Sequence, residues 1–347
     1  MMYIHQSTCI SPQLSFPEPN LSQLMESLDN KLKVIEPEYK DIPAAVLRRM
    51  GKAVRMGVGA AFPLLKIVPE AAGIVIGTAN GGMEDCIKFL NQIIQYDEGL
   101  LTPGNFVQST ANAIASQISL LNSNKAYNIT HVHRGLAFEN AMIDAMMQVK
   151  EQPALTYLVG AVDEISTYNF NIDYLGGWYK KEKITNLDLY ETDSAASIAG
   201  EGAAMFLVSG MRPSAGAAVS GIRIFHSRDE VVLKDQLRDF LSEQLLPGEK
   251  IDLLISGENG DNRILQYYEA VEAMLDKGTG VARFKHMTGE FPTASALALW
   301  MACYLFQSQT LPDHMLKKTA TAPSYNRILI YNNYKGIQHS FMLVSKL

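Results

Sequence analysis

Short, nearly continuous apolar runs alternate along this chain with longer stretches whose apolar positions recur at helical spacing. That is the pattern of strands buried on both faces and joined by crossover helices. Gly73-Ile74-Val75-Ile76-Gly77 ends in a turn that carries Gly81, and Asp252-Leu253-Leu254-Ile255 leading into Ser256-Gly257-Glu258-Asn259-Gly260 repeats the arrangement. Each half also closes alike. Residues 156–163 followed by 204–209 correspond to 327–332 followed by 340–345, so the chain reads as one unit written twice. The halves are expected at 1–210 and 211–347. Residues 1–6 read as a first strand, and 229–246 and 262–276 as amphipathic crossover helices. Residues 138–147, after the turn at Gly135, should form a central buried helix, in which the methionines serve as packing. The longest apolar run, 296–306, is a buried helix that falls well short of the roughly 20 residues needed to span a bilayer. Residues 166–194, rich in Tyr, Asn and Asp, look like loop material or an inserted cap.

Composition narrows the classes. The 347 residues are 47% hydrophobic and 19% charged, with a net charge of −6 and no charge block. Nothing in this points to a nucleic-acid partner or a membrane span. The N-terminal residues lack the basic and apolar regions of a signal peptide, so the expected location is cytoplasmic. Three cysteines, Cys9, Cys86 and Cys303, stand far apart, with neither a disulfide framework nor a metal-ligand spacing, as fits a reducing compartment. His131 and His133 have the spacing of two ligands on a strand, but a lone His-x-His pair does not make a zinc site. Neither a metal nor a cofactor is expected.

Five segments then fall in a telling order. They are Ile76-Gly77-Thr78 with Gly81-Gly82-Met83-Glu84-Asp85; Thr102-Pro103-Gly104-Asn105-Phe106 with Ser109 and Asn112; Val159-Gly160-Ala161-Val162-Asp163-Glu164; Gly200-Glu201-Gly202-Ala203-Ala204; and Lys285-His286-Met287-Thr288-Gly289. Together they resemble the β-ketoacyl synthases of the thiolase superfamily. The resemblance implies a duplicated, layered α-β-α-β-α fold with two mixed five-stranded sheets.

It also implies an active site that this chain does not spell. Family members attack an acyl thioester with a Cys on a sharp strand-to-helix turn, beside two His residues and a supporting Lys. An ungapped match of that turn to Thr130-His131-Val132-His133-Arg134-Gly135 puts Val132 at the Cys position. The first His falls on Ser256 and the second on Glu290, and only Lys285 is kept. The gating glycine loop near the end corresponds to residues 331–339, where Gly336 alone survives of three glycines.

Two functions follow from the resemblance. In the first, the chain is a non-condensing subunit similar to the chain-length factors of type II polyketide and aryl-polyene systems, where fatty-acid-like chains are built. Such a subunit pairs with an active ketosynthase and serves an acyl carrier protein, and condensing activity of its own is not expected. In the second, Ser256 with His131 or His133 and Glu290 forms a repurposed acyltransferase or thioesterase site. A dimer is expected in either case, homodimeric or with a ketosynthase, through the strand at Asn128-Ile129-Thr130 with 102–109 nearby. Arg48, Arg49, Lys52 and Arg55 form one basic segment and Lys180, Lys181 and Lys183 another; each is a candidate docking face for an acidic carrier.

Overall fold

The computed structural model describes residues 1–347. Thirteen strands form: β1 (Met2–Ile10), β2 (Lys31–Leu32), β3 (Gly73–Gly77), β4 (Tyr127–His131), β5 (Tyr157–Asp163), β6 (Ala199–Gly200), β7 (Gly202–Ser209), β8 (Ala217–His226), β9 (Leu253–Ser256), β10 (Gly280–Arg283), β11 (Leu316–Lys318), β12 (Arg327–Tyr334) and β13 (Gln338–Lys346). The first half is ordered β1-β7-β5-β3-β4 and the second β8-β13-β12-β9-β10, with β11 added at its edge. Numbered within each half, both read 1-5-4-2-3, so the internal repeat is one of topology as well as pattern. The second copy begins with β8, after the loop that follows Ser209.

One detail differs from expectation. The two five-stranded units are not separate sheets, because β1 also pairs with β8 over Met2–Ile4 and Ala217–Val219. The first strand is long enough to hold β7 along its whole length and β8 at its start, which yields a single 11-stranded sheet.

Layering follows from burial. Lys52–Ile67 and Ala113–Leu121 cover one face of the first half, where Ile74, Ile76, Leu158 and Met205 pack against them. Glu230–Gln244 and Leu265–Met274 cover the corresponding face of the second half through Leu233, Phe240, Tyr268 and Val271. Between the halves run Ala137–Glu151 and Ser295–Ser308, in a core that takes Phe138, Val159 and Phe206 from one half and Ile255, Ile330 and Val344 from the other. The run at 296–306 is buried along nearly its whole length, as its lack of a polar face requires. No helix is long and apolar enough to cross a membrane.

The 166–194 segment is partly regular: Ser166 caps a helix over Thr167–Leu175 by accepting from the Asn169 N–H. Cys9 and Cys303 are buried, and burial pushes the Cys303 thiol up to about 12. Neither is poised to act as a thiolate.

Candidate functional site

The strand-to-helix turn follows β4. Its single residue with left-handed backbone is Arg134, at φ 49°, and a 3-10 turn over Arg134–Leu136 leads into the helix Ala137–Glu151. Val132, which the ungapped match puts at the nucleophile position, lies two residues earlier and is 55% exposed. Neither side chain can form a thioester. The Arg134 guanidinium donates to the Asn80 side-chain oxygen at 3.1 Å.

Across from the turn stands Tyr334, at the end of β12. A Cβ on Gly135 would lie 2.2 Å from the Tyr334 Cβ, so the Tyr334 side chain packs against the turn's backbone only because residue 135 is glycine. The Gly135 N–H donates to the Gln338 side-chain oxygen at 2.9 Å. Tyr334 is 5% exposed, and its hydroxyl has no hydrogen-bond partner. Nearby, Asn80, Asp163, Phe170, Tyr179 and Phe291 bound a void of only about 10 Å³. A space of that size holds at most one water.

Of the family positions, Lys285 and Glu290 come together. Gly289, at φ 70°, reverses the chain between them, and the Lys285 ammonium donates to the Glu290 carboxylate at 3.0 Å. The other carboxylate oxygen accepts from the Asn259 amide at 2.8 Å. Lys285 is fully buried and Glu290 nearly so. Ser256 is fully buried too, but its oxygen accepts from the Glu258 N–H at 3.3 Å. The Glu258 carboxylate is held by Arg283 at 3.0 Å and Lys317 at 2.6 Å.

The two histidines belong elsewhere. His131 bonds Asp144 at 2.8 Å, and Tyr127, four residues before it on β4, donates to the same carboxylate at 3.0 Å. His133 is exposed, 5.5 Å between ring centres from His226, and near the Asn140 amide. The partner sets of Ser256, His131, His133 and Glu290 are disjoint, and no hydrogen bond joins any two of them.

The remaining motifs hold backbone. Asp163 accepts from the Ala79 and Asn80 N–H groups at 3.0 and 2.9 Å and from the hydroxyls of Thr78 and Thr293, tying β5 to the turn after β3 and to the start of Ser295–Ser308. Burial pushes its carboxyl up to about 6 against the pull of those donors. Glu201, fully buried, accepts from the Val34 and Ile165 N–H groups and pairs with Lys52. Gly200 and Gly289 allow two backbones to touch: a Cβ on Gly200 would lie 2.0 Å from the Thr288 carbonyl.

The basic segments are partly spent on such contacts. Lys52 pairs with Glu201 and Arg55 with Glu36, which leaves Arg48 and Arg49 exposed. Lys180 is 3% exposed, and its amine donates to the Ser194 hydroxyl at 2.6 Å, so it presents no surface charge; Lys181 and Lys183 remain outside. Residue patterns alone did not single out Arg134, Asn259 or Gln338. Only the run of two residues between the end of β4 and the 3-10 turn could have hinted at Arg134.

Comparison with known proteins places this geometry. Residues 23–171 match the family model described as beta-ketoacyl synthase, N-terminal domain. No curated protein matches the chain in sequence. Among solved structures it is similar to the ishigamide ketosynthase/chain length factor, at 14% identity and a TM-score of 0.79, covering 100% of this chain and 99% of that one. It is also similar to a ketosynthase in complex with its chain length factor from Xenorhabdus doucetiae, at 12% identity and 0.78, covering 100% and 98%. A third is a type II polyketide synthase acyl-carrier protein in complex with its ketosynthase, at 16% identity and 0.71, covering 100% and 99%. The chain therefore has the thiolase-like fold of the ketosynthases.

Proposed function

We propose that this ketosynthase-fold chain is a non-condensing, chain-length-factor-like subunit that pairs with an active ketosynthase in fatty-acid or polyketide synthesis of the aryl-polyene type. One observation carries the reading. The turn where a condensing enzyme needs its nucleophile offers Val132 and Arg134, neither of which can carry an acyl thioester, and Tyr334 is packed directly against its Gly135.

Lys285 keeps its identity with a different task. With Glu290 and Asn259 as partners it forms a buried, internally satisfied cluster, the kind that holds a fold together without leaving a base or acid free. The unpaired outer edge of β4 supplies the dimer face, since an open strand edge invites a partner strand. Arg48, Arg49, Lys181 and Lys183 are the charges left to meet an acidic acyl carrier protein. That one structural relative is a ketosynthase with its chain length factor, and another a ketosynthase with an acyl carrier protein, supports the same reading.

Native mass spectrometry of the tagged chain from its own cells tests this. A heterodimer with a second thiolase-fold chain that carries an intact Cys turn is the expected result. A homodimer that also hydrolyses or transfers acyl thioesters, and loses that turnover on Ser256→Ala, would overturn it in favour of an acyltransferase.

A further inference from the structure

A cavity lies away from the nucleophile turn, between β1, the helix Lys52–Ile67, Trp300 of Ser295–Ser308 and the loops at 15–19 and 38–42. Its volume is about 390 Å³. That is room for about a dozen waters and lies within the range of small-molecule sites. Four aromatic rings, Phe16, Tyr39, Phe62 and Trp300, contribute to its walls.

Three polar groups on residues of this wall are left without a usual hydrogen-bond partner inside the protein. Trp300 is 4% exposed, yet its indole N–H makes no hydrogen bond within the protein, and the residue lines the cavity. The nitrogen is not among the buried unpartnered atoms, so the N–H is an accessible donor on a residue of the cavity wall. Gly59 and Pro63, one helical turn apart, also line the cavity. Proline has no N–H, so the Gly59 carbonyl loses the donor that an α-helix would supply. The neighbouring Ala60 carbonyl is served by the Thr8 hydroxyl at 2.6 Å, while the Ser7 hydroxyl beside it has no partner. The charges at the rim are already matched, Lys40 with Glu38 and Asp41 with Lys66.

An aromatic chamber with a free donor, a free acceptor and a neutralised rim suits one class of ligand. We infer that this cavity binds a small neutral molecule with a flat or short-chain apolar body and a hydroxyl or carboxamide head, the head accepting from Trp300 and donating to the Gly59 carbonyl or Ser7. The inference does not rest on the chain being a silent subunit, since no cavity residue belongs to the turn or to the Lys285 cluster.

The chain has two tryptophans, Trp178 and Trp300, so a Trp178→Phe variant gives one indole N–H resonance in a 15N-correlated spectrum. Titration of that protein with 4-phenyl-1-butanol should move the Trp300 resonance in a saturable way. The charged counterpart, 4-phenylbutyrate, should bind at least tenfold more weakly. Ser7→Leu, which fills the chamber from β1, should reduce the alcohol's affinity at least tenfold, and Ser7→Ala, which keeps the space, should reduce it by less. An unsaturable or absent shift with the alcohol, or a response equal in the wild-type and Ser7→Leu chambers, would overturn the assignment.

Discussion

The buried Lys285–Glu290 pair sets the sharpest quantitative expectation. Two charges 3.0 Å apart attract by about 5 kcal/mol at an effective dielectric of 20, and most of that offsets the loss of water around two buried ions. Removing one partner leaves the other charge uncompensated. Glu290→Gln strands the Lys285 ammonium, and Lys285→Met leaves Glu290 with only the Asn259 amide. Glu139, the other carboxyl near Lys285, is held above its ordinary range by burial, so it is a poor substitute counter-ion. Each single change should therefore cost about 3–5 kcal/mol. An unfolding entropy of about 2.1 cal/mol/K per residue gives about 0.7 kcal/mol/K for a chain of 347 residues, and hence a Tm lowered by about 4–7 °C. The double variant removes both charges and should recover more than half of that loss. Urea titration and scanning calorimetry on the four proteins read the coupling directly. Singles within about 1 °C of wild type, or a double whose loss equals the sum of the singles, would refute a satisfied buried pair.

Three further expectations concern the same region. Burial first, and the charge of Glu201 second, push the Glu164 carboxyl from 4.5 up to about 7. Its folded value exceeds its unfolded one, so its favourable contribution is complete below about pH 4.5 and is lost as pH rises through 7; Glu164→Gln should stabilise by about 2–3 kcal/mol at pH 8 and about 1 kcal/mol at pH 5, and equal shifts of the urea midpoint at both would count against this origin. Tyr334→Phe removes a buried hydroxyl without a partner and should leave stability unchanged or raise it by up to about 1 kcal/mol, where a loss above about 1 kcal/mol would reveal a bond to that oxygen. Gly135→Ala drives a methyl into Tyr334 and should cost at least about 1–3 kcal/mol in denaturant unfolding, whereas the same change made in a Tyr334→Gly background should cost much less relative to that background.

The strands and central helices were legible because their apolar runs have no other use: β3, β5, β7 and β9 are buried on both faces, and residues 296–306 are apolar all round. The joined sheet was not, since pairing between β1 and β8 is a contact between segments more than 200 residues apart that a local pattern does not encode. Site contacts failed to read for a similar reason. Lys285 and Glu290 are five apart, a separation that places side chains on different helical faces, and only the left-handed Gly289 brings them together. Lys180 belongs to a run of charges that looks solvated, yet it turns inward to Ser194.

What the motifs do physically explains how the resemblance is strong where the residues hold the backbone. Gly77 lets β3 lie against the first turn of Ala137–Glu151, where a Cβ would meet the Ala137 carbonyl at 2.6 Å. Asp163 ties two turns and a helix start to one strand end, Glu201 gathers two amides and Lys52, and Gly200 meets Gly289 backbone to backbone. Each of these residues is fixed by packing or by a buried carboxylate that must be satisfied, and any chain with this backbone needs them whether or not it turns over a substrate. Of the positions where the resemblance puts thioester chemistry, Val132 and the nearby Arg134 are exposed and free of that demand, while Ser256 and Glu290 are buried and tied to other partners. In this chain they carry an exposed valine, an exposed arginine, a serine bonded to local backbone and a carboxylate locked to Lys285. The shared motifs thus report the architecture, and activity has to be argued from the residues the architecture leaves free to vary.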